Sequence, residues 1–237
     1  MDVKDKVTIV TGASNGIGLA TARRFARAGA RVVLAARSAE RLQQLAHELE
    51  EQGQVALAVP VDMTSRAEVE RMVDRAVEHF GRIDILINNA GQAAAGTVAQ
   101  VDVDHFRRII ELNIFGPIYA IQAVVPKMRP DGGLILNISS MTSKMHIPGL
   151  GAYASTKAAL NLLSETARGE LASENIRVIT VFPRSTATDF GKNSLGDARM
   201  RQHQRAPRPG VVVDSAEHVA ERILQAAEQE PAEQYME

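Results

Sequence analysis

The sequence predicts an α/β fold, a single-domain doubly wound parallel sheet that is Rossmann-like, with helices on both faces. Six short runs rich in β-branched residues recur along the 237-residue chain, and longer segments with helical periodicity separate them. Such alternation implies right-handed crossovers between parallel strands. The runs are nearly continuous in apolar residues, which is typical of strands covered on both faces. The predicted strands are Val7–Val10, Arg31–Ala35, Val55–Val59, Ile83–Ile87, Leu134–Ile138 and Val178–Phe182.

The helices are predicted from apolar residues that recur every three or four positions. A long helix is predicted over Ala152–Leu171. Three others follow the first three strands. Their marker residues are Ala20, Phe25 and Ala28 for the first, Leu42, Leu45 and Leu49 for the second, and Val69, Met72, Val73, Ala76 and Val77 for the third.

Two segments interrupt this alternation. Gln92–Val103 is small and polar, and it predicts a loop above the sheet. Arg184–Val213 contains Gly, Pro and several Arg with weak periodicity, and such a long loop in a compact domain is more often functional or mobile than structural. Because no linker, low-complexity block or solenoid repeat divides the chain, we expect one domain over residues 1–237, with a functional loop at about 184–213.

Composition excludes several classes of protein. Lys and Arg (27) nearly balance Asp and Glu (28), so nothing points to nucleic acid or an anionic membrane as a partner. The absence of cysteine excludes disulfides and cysteine nucleophiles, and six scattered histidines without ligand spacing predict no metal site. No apolar run approaches the roughly 20 residues of a membrane helix, and the N-terminal run is too short for a signal peptide. We expect a soluble, cytoplasmic protein.

The first strand leads directly into a Gly-rich turn, T-G-A-S-N-G-I-G, which precedes a helical pattern. Glycines let the backbone turn sharply and approach a ligand closely, and a helix N-terminus offers N–H donors to a pyrophosphate. A strand-to-helix turn without a ligand is the alternative, but the position after the first strand of a βαβ pattern favours a dinucleotide. The predicted cofactor contacts here are Gly12, Ser14, Asn15, Gly16, Ile17 and Gly18.

The second strand ends in A-A-R-S, which places Arg37 about 20 residues beyond the glycine turn. An acidic residue at this point would hold the ribose hydroxyls of NAD, whereas a nearby arginine accommodates the 2′-phosphate of NADP. A guanidinium matches phosphate geometry with two parallel hydrogen bonds. We therefore expect NADP(H) in preference to NAD(H). The alternative is a solvated arginine at a helix start.

Three further motifs line up behind the glycine turn. N-N-A-G ends at Gly91 after the fourth strand, I-S-S ends at Ser140 after the fifth, and Y-A-S-T-K carries Tyr153 and Lys157. The set, in this order and with a serine thirteen positions before the tyrosine, closely resembles the short-chain dehydrogenase/reductase family over nearly the whole chain. The resemblance implies transfer of a hydride between a nicotinamide cofactor and a carbonyl or alcohol carbon of a small molecule.

The resemblance also assigns expected roles residue by residue. Ser140 matches the catalytic serine, with its neighbour Ser139 as the weaker candidate, and Tyr153 matches the acid/base. Lys157 matches the catalytic lysine, and Asn113 in E-L-N-I-F-G completes a tetrad. Besides Tyr153 and Lys157, the further cofactor contacts that it implies are Asp62, Met63, Asn89, Ala90, Gly91, Pro183, Thr186 and Thr188.

Elementary chemistry agrees with these roles. Reducing a ketone needs a hydride from the nicotinamide and a proton for the developing alkoxide. Tyr153 and Lys157 are four apart, so they share one face of a helix, and a nearby ammonium is expected to lower the tyrosine pKa from about 10. Ser140 is expected to donate a hydrogen bond to the substrate oxygen. Asn113 is expected to hold a water that links Lys157 to solvent.

The chain departs from the family pattern after the sixth strand, where Pro183-Arg184 replaces the usual Pro-Gly. Three interpretations of the Arg184 side chain are open: it narrows the site, it meets an anionic substrate, or it points to solvent. We favour the last. The tail stops at Q-Y-M-E, so we expect a very short or absent seventh strand. A pocket role for His146 and recruitment of an anionic substrate by Arg199–Arg208 are both open, with surface roles favoured.

Two other classes of function compete with the oxidoreductase. One is a cofactor-binding sensor or scaffold without turnover, which a damaged tetrad would indicate; all four positions are intact here. The other is a non-redox enzyme on the same fold, such as an epimerase or a dehalogenase-type lyase, which loss of the glycine turn would favour. Apolar helical stretches at Ile114–Val125 and Ala158–Leu171 either face another subunit, in a homodimer or homotetramer, or pack on the sheet.

Overall fold

The computed structural model describes residues 1–128, 131–196 and 212–236. Its centre is a parallel seven-stranded sheet with the order β7-β6-β5-β4-β1-β2-β3, so the chain reverses its winding direction between β1 and β4. This confirms the predicted doubly wound sheet. The strands are β1 (Val7–Thr11), β2 (Arg31–Ala36), β3 (Val55–Pro60), β4 (Ile85–Asn88), β5 (Gly133–Ile138), β6 (Ile176–Phe182) and β7 (Glu233–Tyr235).

Helices connect the strands and cover both faces. A π-helical stretch, Glu111–Phe115, joins α4 to α5, and a 3₁₀ turn at Met141–Lys144 follows β5. The helices are α1 (Gly16–Arg27), α2 (Ala39–Glu51), α3 (Arg66–Phe80), α4 (Val103–Ile110), α5 (Gly116–Met128), α6 (Gly151–Leu171) and α7 (Ala216–Gln229).

The core has two apolar layers, one on each face of the sheet. One layer packs α1, α2 and α7 against the sheet, and the other packs α3, α5 and α6. Successive residues of β1 alternate between them, since Ile9 belongs to one layer and Val10 to the other. All five residues of β1 are buried, which explains the almost unbroken apolar pattern of the central strands.

At the margins of the sheet, the structure confirms the expected very short seventh strand and revises the expectation of a loop at Gln92–Val103. β7 exists but has three residues, and it pairs in parallel with Thr180–Phe182 of β6. The predicted loop Gln92–Val103 contains a short strand, Ala94–Ala95, which pairs with Leu195–Gly196 and is buried. The backbone polar groups of these two alanines are paired with a strand that lies 101 residues further along the chain. The local sequence pattern does not reveal such a distant pairing.

The helical run Val103–Met128 is long and apolar enough to cross a membrane by length and composition. Here it belongs to the fold, because Ile109, Val124 and Met128 are fully buried in the protein core. Buried core helices and membrane helices share this composition, so burial decides between the two interpretations.

Candidate active site

The glycine turn joins β1 to α1 at the carboxyl edge of the sheet. Gly12 and Gly16 have φ angles of +69° and +55°, in the left-handed region that favours glycine. A Cβ on Gly18 would lie 2.3 Å from the Gly12 carbonyl oxygen and 2.4 Å from Asn89 Nδ2. Asn15 caps α1, where its Oδ1 accepts a hydrogen bond of 2.7 Å from the Gly16 N–H. Backbone geometry therefore requires each of these glycines.

The segment after β4 is tied to this turn by Thr11. Its Oγ1 accepts hydrogen bonds from the backbone N–H groups of Asn89 (2.9 Å) and Ala90 (3.0 Å). Asn89 Nδ2 in turn donates to the Thr11 carbonyl at 2.8 Å. The two segments form one wall beside the point where the strand order reverses, which is where ligands bind in open α/β sheets. The other two predicted contacts of the turn, Ser14 and Ile17, are half-buried.

The ends of β2 and β3 carry the residues predicted to meet the adenosine. Arg37 is exposed directly after β2. Asp62 follows β3, and its Oδ1 accepts hydrogen bonds from the N–H (2.9 Å) and Oγ1 (2.8 Å) of Thr64. The Met63 side chain is buried in the core, where it lies against Gly116. Arg37 and Asp62 are thus exposed or partly exposed at the same edge of the sheet.

Tyr153 and Lys157 lie on one face of α6, and both are buried, with exposed fractions of 8% and 4%. Lys157 Nζ donates a hydrogen bond of 2.8 Å to the Ile138 carbonyl at the end of β5. Burial raises the pKa of Tyr153 to about 12 and lowers the pKa of Lys157 to about 8. The predicted lowering of the Tyr153 pKa by Lys157 is wrong for this arrangement, because desolvation dominates.

Ser140 is half-buried at the start of the 3₁₀ turn, and its hydroxyl lies close enough to Tyr153 to oppose the rise in the tyrosine pKa. Its Oγ also accepts hydrogen bonds from the N–H (3.2 Å) and Oγ1 (2.9 Å) of Thr142. The neighbouring Ser139 points elsewhere, because its Oγ donates to Asn161 Oδ1 at 2.5 Å. Of the two candidate serines, Ser140 is the one that contacts Tyr153.

Asn113 is fully buried in the π-helical stretch between α4 and α5. Its side chain accepts from the Gln92 N–H (2.9 Å) and donates to the Gln92 carbonyl (2.8 Å) and to Thr156 Oγ1 (3.0 Å). π-helical turns are rare and often occur at functional sites. Here the turn inserts Asn113 between the segment after β4 and the helix that carries Tyr153.

Gly91 marks the place where these groups converge. A Cβ on Gly91 would lie 3.2 Å from Asn113 Oδ1 and 3.5 Å from Lys157 Nζ. The structure therefore brings three elements together at one point: the segment after β4, the π-helical turn and α6. Four predicted residues, Asn113, Ser140, Tyr153 and Lys157, occupy this one corner of the sheet edge.

The segment after β6 lies over the glycine turn. Pro183 is buried, and Thr186 Oγ1 donates to the Arg184 carbonyl at 3.0 Å. The Thr188 methyl carbon lies 3.2 Å from the Cβ position of Gly16. A cleft of about 540 Å³ runs alongside this contact, bounded by α1, the segment after β6 and the start of α7. This segment and the glycine turn are thus in direct contact.

Arg184 does not point to solvent, and that prediction is wrong. Its guanidinium binds Asp214 in a two-pronged ion pair, with Nη2–Oδ1 at 2.9 Å and Nε–Oδ2 at 3.1 Å. The Asp214 side chain is only 6% exposed. Ser185–Thr186 also pairs as a short parallel ladder with Val213–Asp214. The arginine therefore joins the start of the segment after β6 to the residues that lead into α7.

Sequence reasoning missed three residues of this region: Thr156, Asn161 and Asp214. Asn161 is four residues beyond Lys157 and Thr156 is three residues beyond Tyr153 on α6, so helical spacing from Y-A-S-T-K would have found them. Asp214 is 30 residues from its partner, and no local pattern signals it. His146 is exposed. The basic stretch Arg199–Arg208 lies outside the described residues.

The geometry defines a dinucleotide-type α/β protein with a buried tyrosine–lysine pair beside its glycine turn. Comparison with known families gives a match to the short chain dehydrogenase model over residues 6–198. The chain therefore belongs to the short-chain dehydrogenase/reductase family of oxidoreductases, as its motifs predict.

Individual relatives agree. An uncharacterised oxidoreductase of Staphylococcus epidermidis is 32% identical over 204 residues, which cover 83% of this chain and 87% of the relative. A short-chain dehydrogenase/reductase from Burkholderia phymatum, solved in complex with NAD, superposes with a TM-score of 0.91 at 25% identity, covering 100% of this chain and 90% of the other. A 7α-hydroxysteroid dehydrogenase, solved with NADH and 7-oxo glycochenodeoxycholic acid, gives a TM-score of 0.87 at 31% identity, covering 99% and 92%.

Proposed function

We propose that this protein interconverts a carbonyl and an alcohol on a small molecule by transferring a hydride to or from NADP(H). The observation that carries the proposal is the contact between Ser140 and a buried Tyr153, one helical turn from Lys157 and beside a glycine turn. The bound cofactor supplies the hydride, and the protein supplies position, a proton and electrostatic stabilisation. We assign the whole chain to this one activity, in the cytoplasm.

The residues of the turn fit a dinucleotide. The cradle at Gly18 has no room for a Cβ, and the same turn presents the start of α1, whose first N–H groups lack partners within the helix. Gly12, Gly16 and Gly18 would hold the pyrophosphate, as anions bind at helix N-termini. Asn89, Ala90 and Gly91 would line the inner side of the cofactor, and Pro183, Thr186 and Thr188 would meet its nicotinamide end.

In the direction of reduction, Tyr153 donates its proton to the substrate oxygen as negative charge develops there. Its raised pKa, about 12, keeps it in the phenol form at neutral pH, as a proton donor requires. Ser140 donates a second hydrogen bond to the same oxygen. Lys157 has a pKa of about 8, so it remains largely an ammonium at pH 7 and would hold the nicotinamide ribose. Asn113 holds a water that returns the proton from solvent.

NADP(H) is preferred in this proposal because Arg37 is exposed at the carboxyl end of β2, where the 2′ group of the ribose would lie. The solved relatives above were determined as complexes with NAD or NADH, so NAD(H) is the competing cofactor. Steady-state kinetics with both cofactors test the preference. Arg37→Ala is expected to lower kcat/KM with NADPH about 10-fold or more and to leave NADH kinetics nearly unchanged. A higher kcat/KM for NADH in the unaltered protein would refute NADP(H) preference.

The activity itself is tested by following NADPH oxidation across a panel of aliphatic and aromatic ketones, sugars, oxosteroids and ketoacyl thioesters, with the matching alcohols in reverse. Tyr153→Phe removes only the hydroxyl and is expected to lower kcat by about 10²–10⁴-fold while cofactor affinity stays close to normal. Retention of more than a few per cent of turnover would remove Tyr153 from the acid/base role.

We also propose a homodimer or homotetramer. Phe115, at the end of the π-helical stretch, and Leu162 and Leu163 on α6 are 39%, 66% and 40% exposed, and these elements belong to the apolar helical stretches that we assign to a subunit interface. Light scattering of the purified protein checks the oligomeric state. Leu162→Glu is expected to shift it towards monomer, and an unchanged mass for this variant would contradict the assignment of this surface.

A further inference from the structure

Asn161 lies on α6 one turn beyond Lys157 and two turns beyond Tyr153, on the same helix face. Its side chain is nine-tenths buried, and no step of the proposed reaction uses it. Buried amides have four hydrogen-bonding sites, and leaving these unmet is costly, so the partners of this one indicate what it holds.

The Asn161 amide binds both flanks of Ser140. Oδ1 accepts the hydrogen bond from Ser139 Oγ at 2.5 Å, on the side that precedes Ser140. Nδ2 donates to Ser143 Oγ at 2.9 Å, on the side that follows. Ser143 Oγ then donates to the Ser140 carbonyl at 2.7 Å. One side chain of α6 therefore fixes residues 139, 140 and 143 as a unit.

The Ser140 hydroxyl is directed by this arrangement. Thr142 supplies two donors to Ser140 Oγ, its N–H at 3.2 Å and its Oγ1 at 2.9 Å. These occupy the acceptor sites of the hydroxyl, so its single proton is directed towards Tyr153 in the free protein and towards the substrate oxygen beside Tyr153 when substrate is bound. Since Thr142 lies inside the segment that Asn161 holds, a shift of the segment on α6 would move the hydroxyl and its two donors together, away from Tyr153.

We propose that Asn161 is a positioning residue, which aligns the Ser140 hydroxyl with Tyr153 by fixing the segment 139–143 on the helix that carries Tyr153 and Lys157. The inference rests on the proposed function. Positioning matters because a displacement of about 1 Å at a reacting group can cost about 10²-fold in rate. Asn161 touches neither the substrate oxygen nor the cofactor in this scheme.

The test compares Asn161→Ala with Asn137→Ala. Asn137 is a matched control, because it is also a fully buried amide between β5 and α6, where it donates to Ser164 Oγ at 2.8 Å, but it does not contact residues 139–143 through its side chain. Both variants are expected to melt at lower temperature. Asn161→Ala is expected to lower kcat roughly 10- to 100-fold with the cofactor KM within about twofold, whereas Asn137→Ala keeps kcat within about threefold.

Two further readouts separate positioning from a general loss of stability. Loss of the Ser140–Tyr153 interaction is expected to move the alkaline limb of the kcat/KM–pH profile to higher pH in Asn161→Ala, because in the free protein that interaction favours the ionised tyrosine. Ser143→Ala, which removes only one hydroxyl, is expected to lower kcat about 3- to 10-fold. The double variant is expected to be no slower than Asn161→Ala alone, because both act through the same unit.

The proposal fails if Asn161→Ala matches Asn137→Ala in kcat with an unshifted pH profile, or if the effects of Asn161→Ala and Ser143→Ala add. If Asn161→Ala does not fold, Ser143→Ala with unchanged kcat refutes the proposal by itself. A wild-type protein that turns over no carbonyl or alcohol would instead refute the proposed function. The wild-type assay is therefore done before any variant is made.

Discussion

Two turns flank the candidate cofactor site, and different physics holds each in shape. The turn after β1 is held by backbone geometry, with Gly12 and Gly16 at positive φ and Gly18 in contact with the Gly12 carbonyl. The segment after β6 is held by a distant part of the chain, through the ion pair of Arg184 with Asp214 and a short backbone ladder to Val213–Asp214. They meet where Thr188 packs on Gly16. A turn of the first kind is specified locally, whereas one of the second kind depends on a distant part of the chain.

The largest effect is expected from adding one carbon to the backbone-held turn. Gly18→Ala places a Cβ 2.3 Å from the Gly12 carbonyl, so the turn has to move and cofactor affinity is expected to fall at least about 100-fold. Titration of NADPH fluorescence measures the Kd. Gly169→Ala is the matched control: its Cβ meets nothing within 4 Å on α6, and it is expected to stabilise the protein by about 0.5–1 kcal/mol. Normal cofactor affinity in Gly18→Ala would contradict the geometry.

Lys157 offers the next test, since among the residues that the structure describes no carboxylate forms an ion pair with it, in contrast to Arg184. Burial lowers the pKa of Lys157 from 10.5 to about 8. Between these pH values the unfolded chain keeps a proton that the folded protein has lost, so the free energy of unfolding rises with pH. Relative to Lys157→Met, the wild type is expected to gain up to about 3 kcal/mol over this window.

Urea denaturation of both proteins at pH 7.5 and at pH 10 measures this difference. The critical result is the sign of the change in the free energy of unfolding of the wild type relative to Lys157→Met. A relative loss of stability as the pH rises would show that the ammonium is favourably paired. Tyr153 titrates in the opposite sense, because burial raises its pKa to about 12. Its contribution to stability is lost only above about pH 10, where the unfolded chain begins to ionise.

The charge-held segment is tested by Asp214→Asn. This change leaves a partly buried guanidinium without its carboxylate, and it is expected to cost about 1–3 kcal/mol and to raise the cofactor KM several-fold. Glu48→Gln is the control, because Glu48 forms the same two-pronged pair with Arg23 but is 39% exposed, and less than about 0.5 kcal/mol is expected. Equal losses in the two variants would mean that burial of Asp214 does not matter.

The smallest effect is expected at the contact between the two turns. Thr188→Ser keeps the hydroxyl that accepts the Phe190 N–H and removes the methyl group that packs on Gly16. The loss of one partly buried methyl is expected to cost under about 1 kcal/mol and to change the cofactor KM less than about threefold. A larger rise in KM than that of Asp214→Asn would place control of the segment at this contact instead of at the ion pair.

Much of the candidate site is readable from sequence because its parts are local. Strand-to-helix position identifies Gly12, Gly16 and Gly18, and helical spacing pairs Tyr153 with Lys157. The environment of those residues is not local. The direction of the Tyr153 pKa shift depends on burial by Phe190 and other residues that are distant in sequence. The π-helical turn that inserts Asn113 has no periodic signature in the sequence. The assignments of function to these residues remain proposals.

The sequence alone determined the alternating strands and helices, the glycine turn and the family, because each depends on backbone conformation, apolar periodicity or a short ordered motif. Only the tertiary structure decided that Arg184 binds Asp214 and that Ser140, not Ser139, contacts Tyr153. It also decided that Asn161 holds the segment 139–143 on α6. These depend on which side chains the packed sheet and α6 bring within about 3 Å, because hydrogen bonds form only at such distances and ion pairs weaken as the charges separate.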